Sequence, residues 1–244
     1  MRVDLAFVPP AAVPTSSSVV VFDVLRMTTT ACAMFDAGLK ELRVVADPEQ
    51  ARREAAAAGA LLFGERHGVA LPGFDGGNSP LEARQRHLLD RGAVLCTTNG
   101  SRAVEAAAGA ERLLLGAIVN AGAVAEVLLA ASAQDVLLVC AGTEGATSLD
   151  DVVGAACVLA ALAERSAAVA ASDACRLAQR LLEGPGDVAA LLERAGHAGF
   201  LRGIGFGDDV DFAAQRDLYD VVPWRQAERP ARFVRWPGAL PATP

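Results

Sequence analysis

Hydrophobic residues in this chain come in short continuous runs. They lie at Val19 to Phe22, Leu42 to Ala46, Ala60 to Phe63, Ala93 to Cys96, Leu113 to Ala117 and Val136 to Ala141. A strand with one wet face alternates apolar and polar residues, whereas a strand covered on both faces reads as an unbroken apolar run. Most of the runs are separated by Ala- and Leu-rich stretches of helical character. The alternation predicts an α/β fold, a layered mixed or parallel sheet flanked by helices. Residues 1–244 then form either one domain or two fused, similar βα lobes with the polar site between them. A faint echo supports the second form, because Val136 to Ala141 repeats the order of strand, polar corner and helix seen at Val19 to Thr30.

Where the runs end, polar residues gather. Val19 to Phe22 leads into Asp23-Val24-Leu25-Arg26-Met27-Thr28-Thr29-Thr30, a strand-to-helix corner. Open α/β sheets bind ligands at the carboxyl ends of strands, where helix N-termini offer free N–H groups to anions. There Asp23 suits a metal and Arg26 a phosphate; the plainer role is a helix cap with a solvated arginine. Similar corners follow at Gly64-Glu65-Arg66-His67-Gly68, at Gly73 to Pro80 and at Cys96 to Arg102. Asn78 or Ser79 is placed to cap a helix that has Pro80 in its first turn, and Asp47-Pro48-Glu49 opens another that runs to Ala58-Gly59. Each loop is also ordinary turn chemistry, and only their joint occurrence points to a site.

Composition narrows the classes. With 52% hydrophobic residues in 244, the chain can bury a large core. The weakly polar stretch Val152 to Ala171 is broken by Glu164-Arg165 and reads as a buried helix with its turn, not a membrane span. The five cysteines are widely spaced, without CxxC pairs, as expected of reduced core thiols in a cytoplasmic protein. A net charge of −7 with mixed signs argues against a nucleic-acid surface. No secretory signal is evident at the start, and Pro223, Pro230, Pro237, Pro241 and Pro244 predict an extended C-terminal tail. A homodimer is the default expectation for assembly.

Taken together, FDVLRMTTT, GERHG, GFDGGNSP, TTNGSRA and CAGTEGATSLDD, in this order and spacing, resemble the 2-phosphosulfolactate phosphatase family. The resemblance runs from about Val19 to Pro223 and includes a fainter distal stretch of His197 through Gly205, Asp209 and Asp217. It implies a distinctive α/β fold and a Mg²⁺-dependent phosphomonoesterase that converts 2-phosphosulfolactate to sulfolactate and phosphate on the route to coenzyme M. None of the motifs specifies a sulfonate, so the expected partner is a small anionic phosphate ester.

Phosphate monoester hydrolysis requires charge neutralisation on the phosphoryl group, an oriented nucleophile and help for the leaving alkoxide. Mg²⁺ takes oxygen ligands and keeps several waters, so one or two carboxylates suffice. The candidates are Asp23 and Glu65 first, then Asp75 and Asp151, with Asp150 capping a helix or facing solvent. Arg26 is the expected bidentate clamp and Arg66 its reserve. His67 either protonates the leaving oxygen or orients a neighbour. Thr28, Thr29, Asn78, Ser79, Thr98, Asn99 and Gly100 are the expected donors to the substrate's anionic groups. A phosphoaspartate mechanism of the haloacid dehalogenase type is disfavoured, because the second aspartate of its DxD pattern is Leu25 here. From another class, a noncatalytic anion-binding protein on the same fold remains the alternative, disfavoured by the clustered acids.

Overall fold

The computed structural model describes residues 1–15, 17–184, 187–226 and 231–238. In chain order the elements are β1 (Arg2–Ala6), β2 (Ser18–Phe22), α1 (Met27–Asp36), β3 (Glu41–Val45), α2 (Pro48–Ala58), β4 (Leu61–Arg66), β5 (Val69–Ala70), α3 (Pro80–Arg84), β6 (Gly92–Cys96), α4 (Asn99–Ala106) and β7 (Arg112–Gly116). They continue with α5 (Ala121–Ala130), β8 (Asp135–Cys140), α6 (Leu149–Arg165), β9 (Ala170–Ala171), α7 (Asp173–Gln179), α8 (Val188–Leu192), α9 (Gly196–Gly203), α10 (Gly207–Ala213), β10 (Pro223–Arg225) and β11 (Arg232–Arg235). Each apolar run named above forms a strand. Asp47 caps α2 by accepting from Gln50 N–H at 2.7 Å, with Pro48 in the first turn.

Among the described residues, eleven strands form one sheet in the order β5-β4-β6-β3-β11-β10-β7-β2-β8-β1-β9. Two blocks within it are parallel, β4-β6-β3 and β7-β2-β8-β1-β9. The antiparallel pair β10 and β11 joins them, with Trp224 opposite Leu114 on one side and Phe233 opposite Leu42 on the other. The predicted C-terminal tail is therefore corrected in part. Pro223 starts a strand in the middle of the sheet, where its missing N–H is tolerated at the first residue, and Pro237 follows the second strand. Pro230, Pro241 and Pro244 lie outside the described residues.

Burial explains the unbroken apolar runs. Val20 and Phe22 of β2 pack into one core cluster with α5 and α6, while Val19 and Val21 pack into another with α1 and α4. Strand β2 is thus covered on both faces, as are β7 and β8. Helix α2 closes a third cluster over β4 and β6 through Ala51 and Ala55. All five cysteines are free and buried. Burial pushes their thiols above the ordinary value, so they stay protonated. No helix among the described residues is long and apolar enough to cross a membrane.

The topology has a geometric consequence. Three antiparallel steps separate β7 from β3, so the two parallel blocks run in opposite senses along the sheet. Their carboxyl ends nevertheless meet, because Gly100 at the start of α4 lies against Asp23 after β2. Both α1 and α4 pack into one core cluster beneath this meeting point.

Phe233 is fully buried in the joining pair. Phe233→Ala is expected to lower stability by about 3–5 kcal/mol in urea unfolding, the usual cost of emptying a buried aromatic site. A loss below about 1 kcal/mol would show that the pair is not a structural keystone.

Candidate active site

The site begins with the corner after β2. Asp23 Oδ1 accepts from Met27 N–H at 3.4 Å, and the Asp23 carbonyl accepts from Thr28 N–H at 2.9 Å. The three threonine hydroxyls serve the local backbone. Thr28 Oγ1 accepts from Asp23 N–H at 3.3 Å, Thr29 Oγ1 donates to the Val24 carbonyl at 2.7 Å, and Thr30 Oγ1 donates to the Asn78 carbonyl at 3.1 Å. Thr28 and Thr29 are fully buried in these roles and do not line the cavity described below.

From the neighbouring strand, the start of α6 reaches across to the same corner. Asp151 Oδ1 accepts from Val24 N–H at 2.8 Å and its Oδ2 from Gly142 N–H at 2.9 Å. Asp150 Oδ2 accepts from Leu25 N–H at 3.2 Å, and its Oδ1 from the Ser148 hydroxyl at 2.5 Å. Both aspartates are buried. Asp150 therefore neither faces solvent nor acts merely as a cap; it binds the corner. The concentration of buried charge shows in the acids themselves. Burial, then Asp150 and Glu65, push Asp23 up to about 7. Burial with Asp150 and Asp23 holds Asp151 well above the carboxylate range, and burial raises Asp150 as well.

The opposite parallel block supplies Glu65 at the end of β4. Its Oε2 accepts from Gly68 N–H at 3.0 Å, and its Oε1 from the Thr98 N–H and hydroxyl, both at 3.3 Å. Gly100 follows in the first turn of α4, where an added Cβ would stand 2.4 Å from Asp23 Oδ2. Only glycine allows that approach. Asn99 Oδ1 accepts from Glu144 N–H at 3.4 Å, tying α4 to the loop after β8.

Between these corners lies a cavity of about 470 Å³. Asp23, Arg26, Glu65, Arg66, His67, Asn78, Thr98 and Asn99 line it, together with residues of the 143–148 loop and Gly196, His197 and Phe200 of α9. Asn78 Oδ1 is buried there without a hydrogen-bond partner, an acceptor left for a ligand. Arg26 is almost fully buried. Its Nη1 donates to Asp209 Oδ2 at 2.8 Å and its Nη2 to the Gly68 carbonyl at 2.6 Å, with the guanidinium 4.3 Å over the Phe206 ring. A clamp that gives both arms of its fork to substrate would have to release these partners. Arg66 donates to the Glu65 and Ala46 carbonyls.

Other expected residues stand off the cavity wall. Ser79 accepts from Glu82 N–H at 3.1 Å and donates to Asp209 Oδ1 at 2.6 Å, so its hydroxyl is committed. Asp75 is exposed and staples its loop to β4 by accepting from Leu62 N–H at 2.8 Å. His197, Asp209 and Thr143 carry no signal in the sequence that assigns them a role. All three lie within the matched motif stretches, but nothing local distinguishes them from helix and loop residues. Burial lowers the affinity of the His197 imidazole for a proton, Asp150 raises it and Arg26 lowers it again.

The 2-phosphosulpholactate phosphatase family matches residues 7–228. The chain belongs to this family. It is 39% identical over 229 residues to a probable 2-phosphosulfolactate phosphatase of Deinococcus radiodurans, covering 91% of this chain and 92% of that protein. A protein of Carboxydothermus hydrogenoformans with the same description is 37% identical over 225 residues, covering 91% and 92%. Another, from Thermotoga petrophila, is 35% identical over 222 residues, covering 91% and 94%. Family membership makes the chain an enzyme of the phosphatase class, and the carboxylate-lined cavity is its candidate active site.

The donor set also bears on a metal. Among the described residues no group of three or more His, Cys, Asp or Glu forms a ready-made cage. Asp23 and Glu65 do line the same cavity and repel each other, and a hard cation that keeps most of its waters needs no more than such a pair. They fit Mg²⁺ on those terms.

A carboxyl raised from about 3.9 unfolded to about 7 folded favours the folded state below pH 4 and loses that contribution as pH rises to 7. In metal-free protein, Asp23→Asn is therefore expected to raise the melting temperature at pH 8 and to raise it much less at pH 4.5. Calorimetry at the two pH values checks this, and an equal or larger gain at pH 4.5 would contradict the buried-charge account.

Proposed function

We propose that this enzyme is a Mg²⁺-dependent phosphomonoesterase acting on 2-phosphosulfolactate, or a similar small phosphorylated 2-hydroxy acid. Water adds to phosphorus, the bond from phosphorus to the leaving oxygen breaks, and the products are the 2-hydroxy acid (sulfolactate from 2-phosphosulfolactate) and phosphate. The observation that carries the reading is the convergence of Asp23 and Glu65, from opposite blocks of the sheet, on a cavity whose other walls are donor-rich. A site for anion storage alone has no use for buried carboxylates that repel its ligand.

Asp23 and Glu65 would hold the cation, which supplies charge neutralisation on the phosphoryl oxygens. The chain's own groups do the rest. The Asn99 amide N–H₂, whose oxygen is held by Glu144 N–H, and Thr147 of the 143–148 loop are the donors offered to the anionic substrate, since the N–H groups of Thr143, Glu144 and Ala146 are already engaged. The first turn of α9 has no side-chain cap, so its N–H groups are open to an anion as well. Arg26 keeps N–H donors beyond the two already engaged, since a guanidinium has five. Protonation of the leaving alkoxide falls to an imidazole at the cavity wall, His67 or His197.

Chelation is expected to abolish turnover and Mg²⁺ to restore it. Asp23→Asn and Glu65→Gln should each lower kcat on the order of a hundredfold or more with an unchanged circular dichroism spectrum, the scale of losing one electrostatic contact to the transition state. Full activity in verified metal-free enzyme, or wild-type rates in both variants, would refute the assignment.

The substrate class is tested by comparing esters with and without a second anionic group. Its removal should raise KM or lower kcat, and equal turnover of neutral-tailed phosphomonoesters would refute that class. Parallel assays of sulfonate and carboxylate esters then identify the tail. Phosphate binding without turnover of any ester would instead support a noncatalytic anion-binding protein.

A further inference from the structure

A buried network outside the carboxylate cluster reaches the cavity from the far end of the chain. Asp209, in the first turn of α10, is 2% exposed and accepts from two partners that are remote in sequence. Its Oδ2 pairs with Arg26 Nη1 at 2.8 Å, and its Oδ1 takes the Ser79 hydroxyl at 2.6 Å. Phe206, three residues earlier, supplies the ring beneath the Arg26 guanidinium. The Gly68 carbonyl holds the other arm. Gly68 itself has φ +76°, and an added Cβ would fall 2.6 Å from Ile204 Cδ1 between α9 and α10.

Arg26 is thus fixed on three sides by groups that are not substrate, yet it borders the cavity. We propose that Asp209 is a positioning residue for phosphate-ester recognition. By orienting and charge-balancing Arg26, it directs the remaining N–H donors of the guanidinium at the bound phosphate. An arginine on a flexible stem loses rotamer freedom whenever it binds an anion, and one already held by an acid and a ring loses little. The acid also offsets the cost of burying the cation in the absence of ligand. Asp209 makes no contact with the reacting atoms in this role and acts only through Arg26.

The inference rests on the phosphatase reading for its kinetic consequence but not for its binding consequence, so two readouts separate them. The first is the dissociation constant for inorganic phosphate, by calorimetry in the presence of Mg²⁺. The second is kcat and KM for a small phosphomonoester. Asp209→Asn keeps the shape and one acceptor while losing the charge, and Ser79→Ala loosens Asp209 without touching Arg26. Should Asp209→Ala fail to fold, these two milder variants carry the test. Asp209→Asn is expected to weaken phosphate binding about tenfold and to raise KM more than it lowers kcat, with Ser79→Ala showing a smaller change in the same direction. Asp209→Glu should recover part of the loss. In an Arg26→Lys background, Asp209→Asn should change phosphate binding less than twofold, because the group it positions is gone.

Unchanged phosphate binding in Asp209→Asn would overturn the proposal. So would an equal loss in the wild-type and Arg26→Lys backgrounds, which would assign Asp209 to the stability of the fold. Absence of turnover in the wild-type enzyme would refute the phosphatase reading alone, with the phosphate-binding comparison still deciding the role of Asp209.

Discussion

The β2-to-α1 corner exposes backbone N–H groups at Val24 and Leu25 that neither the strand nor the helix can satisfy, deep in the protein where water does not reach. Asp151 and Asp150, from the first turn of α6, accept from them. Leaving buried N–H groups unpaired costs on the order of 1–3 kcal/mol each, so the corner and the helix have to be placed together. This exchange seats α6 against β2 and anchors Gly142 at the start of the 143–148 loop. It also sets two buried acids behind Asp23, of which Asp150 helps raise the proton affinity of Asp23. The electrostatic character of the cavity thus follows from a requirement of the backbone.

The same constraint gives the site its tension. Acids that solve a backbone problem are also buried, and their raised proton affinities express that burial first, with repulsion from neighbouring acids adding to it at Asp23 and Asp151. A cation, and the arginine and amide donors opposite, relieve the cost of ionising acids held in such a framework. Stability given up at such a corner is characteristic of catalytic centres, where the local arrangement serves the ligand rather than the empty protein.

The two parallel blocks converge although they run in opposite senses. Two parallel blocks of opposite sense would present their carboxyl ends to opposite sides if the sheet were flat. The β10 and β11 pair joins them, α1 and α4 share one core cluster, and Glu65 and Thr98 line the same cavity as Asp23. The C-terminal part of the chain then contributes twice, as the join in the sheet and, through α9 and α10, as the wall that carries His197 and the support for Arg26.

The sequence by itself determined the local elements and the chemistry. Unbroken apolar runs between turn signals read as strands covered on both faces, Asp47 before a proline reads as a helix cap, and Asn78 or Ser79 as another, which the structure gives to Ser79. The polar corners at Asp23, Glu65, Asn78 and Thr98 announced a site, because strand ends are where a covered sheet can still meet a ligand. The tertiary structure decided which polar atoms face the cavity. Thr28, Thr29 and Ser79 turn away because a closer acceptor or donor exists in the folded chain, and Asp75 is spent on holding a loop. Pro223 and the residues after it look like a tail in isolation, since short strands that pair only with distant partners leave little local signal. His197 and Asp209 enter for the same reason. Their roles exist only once strand order and helix packing have brought residues more than 170 positions apart into hydrogen-bond reach, and no local pattern encodes which distant partner a side chain will meet.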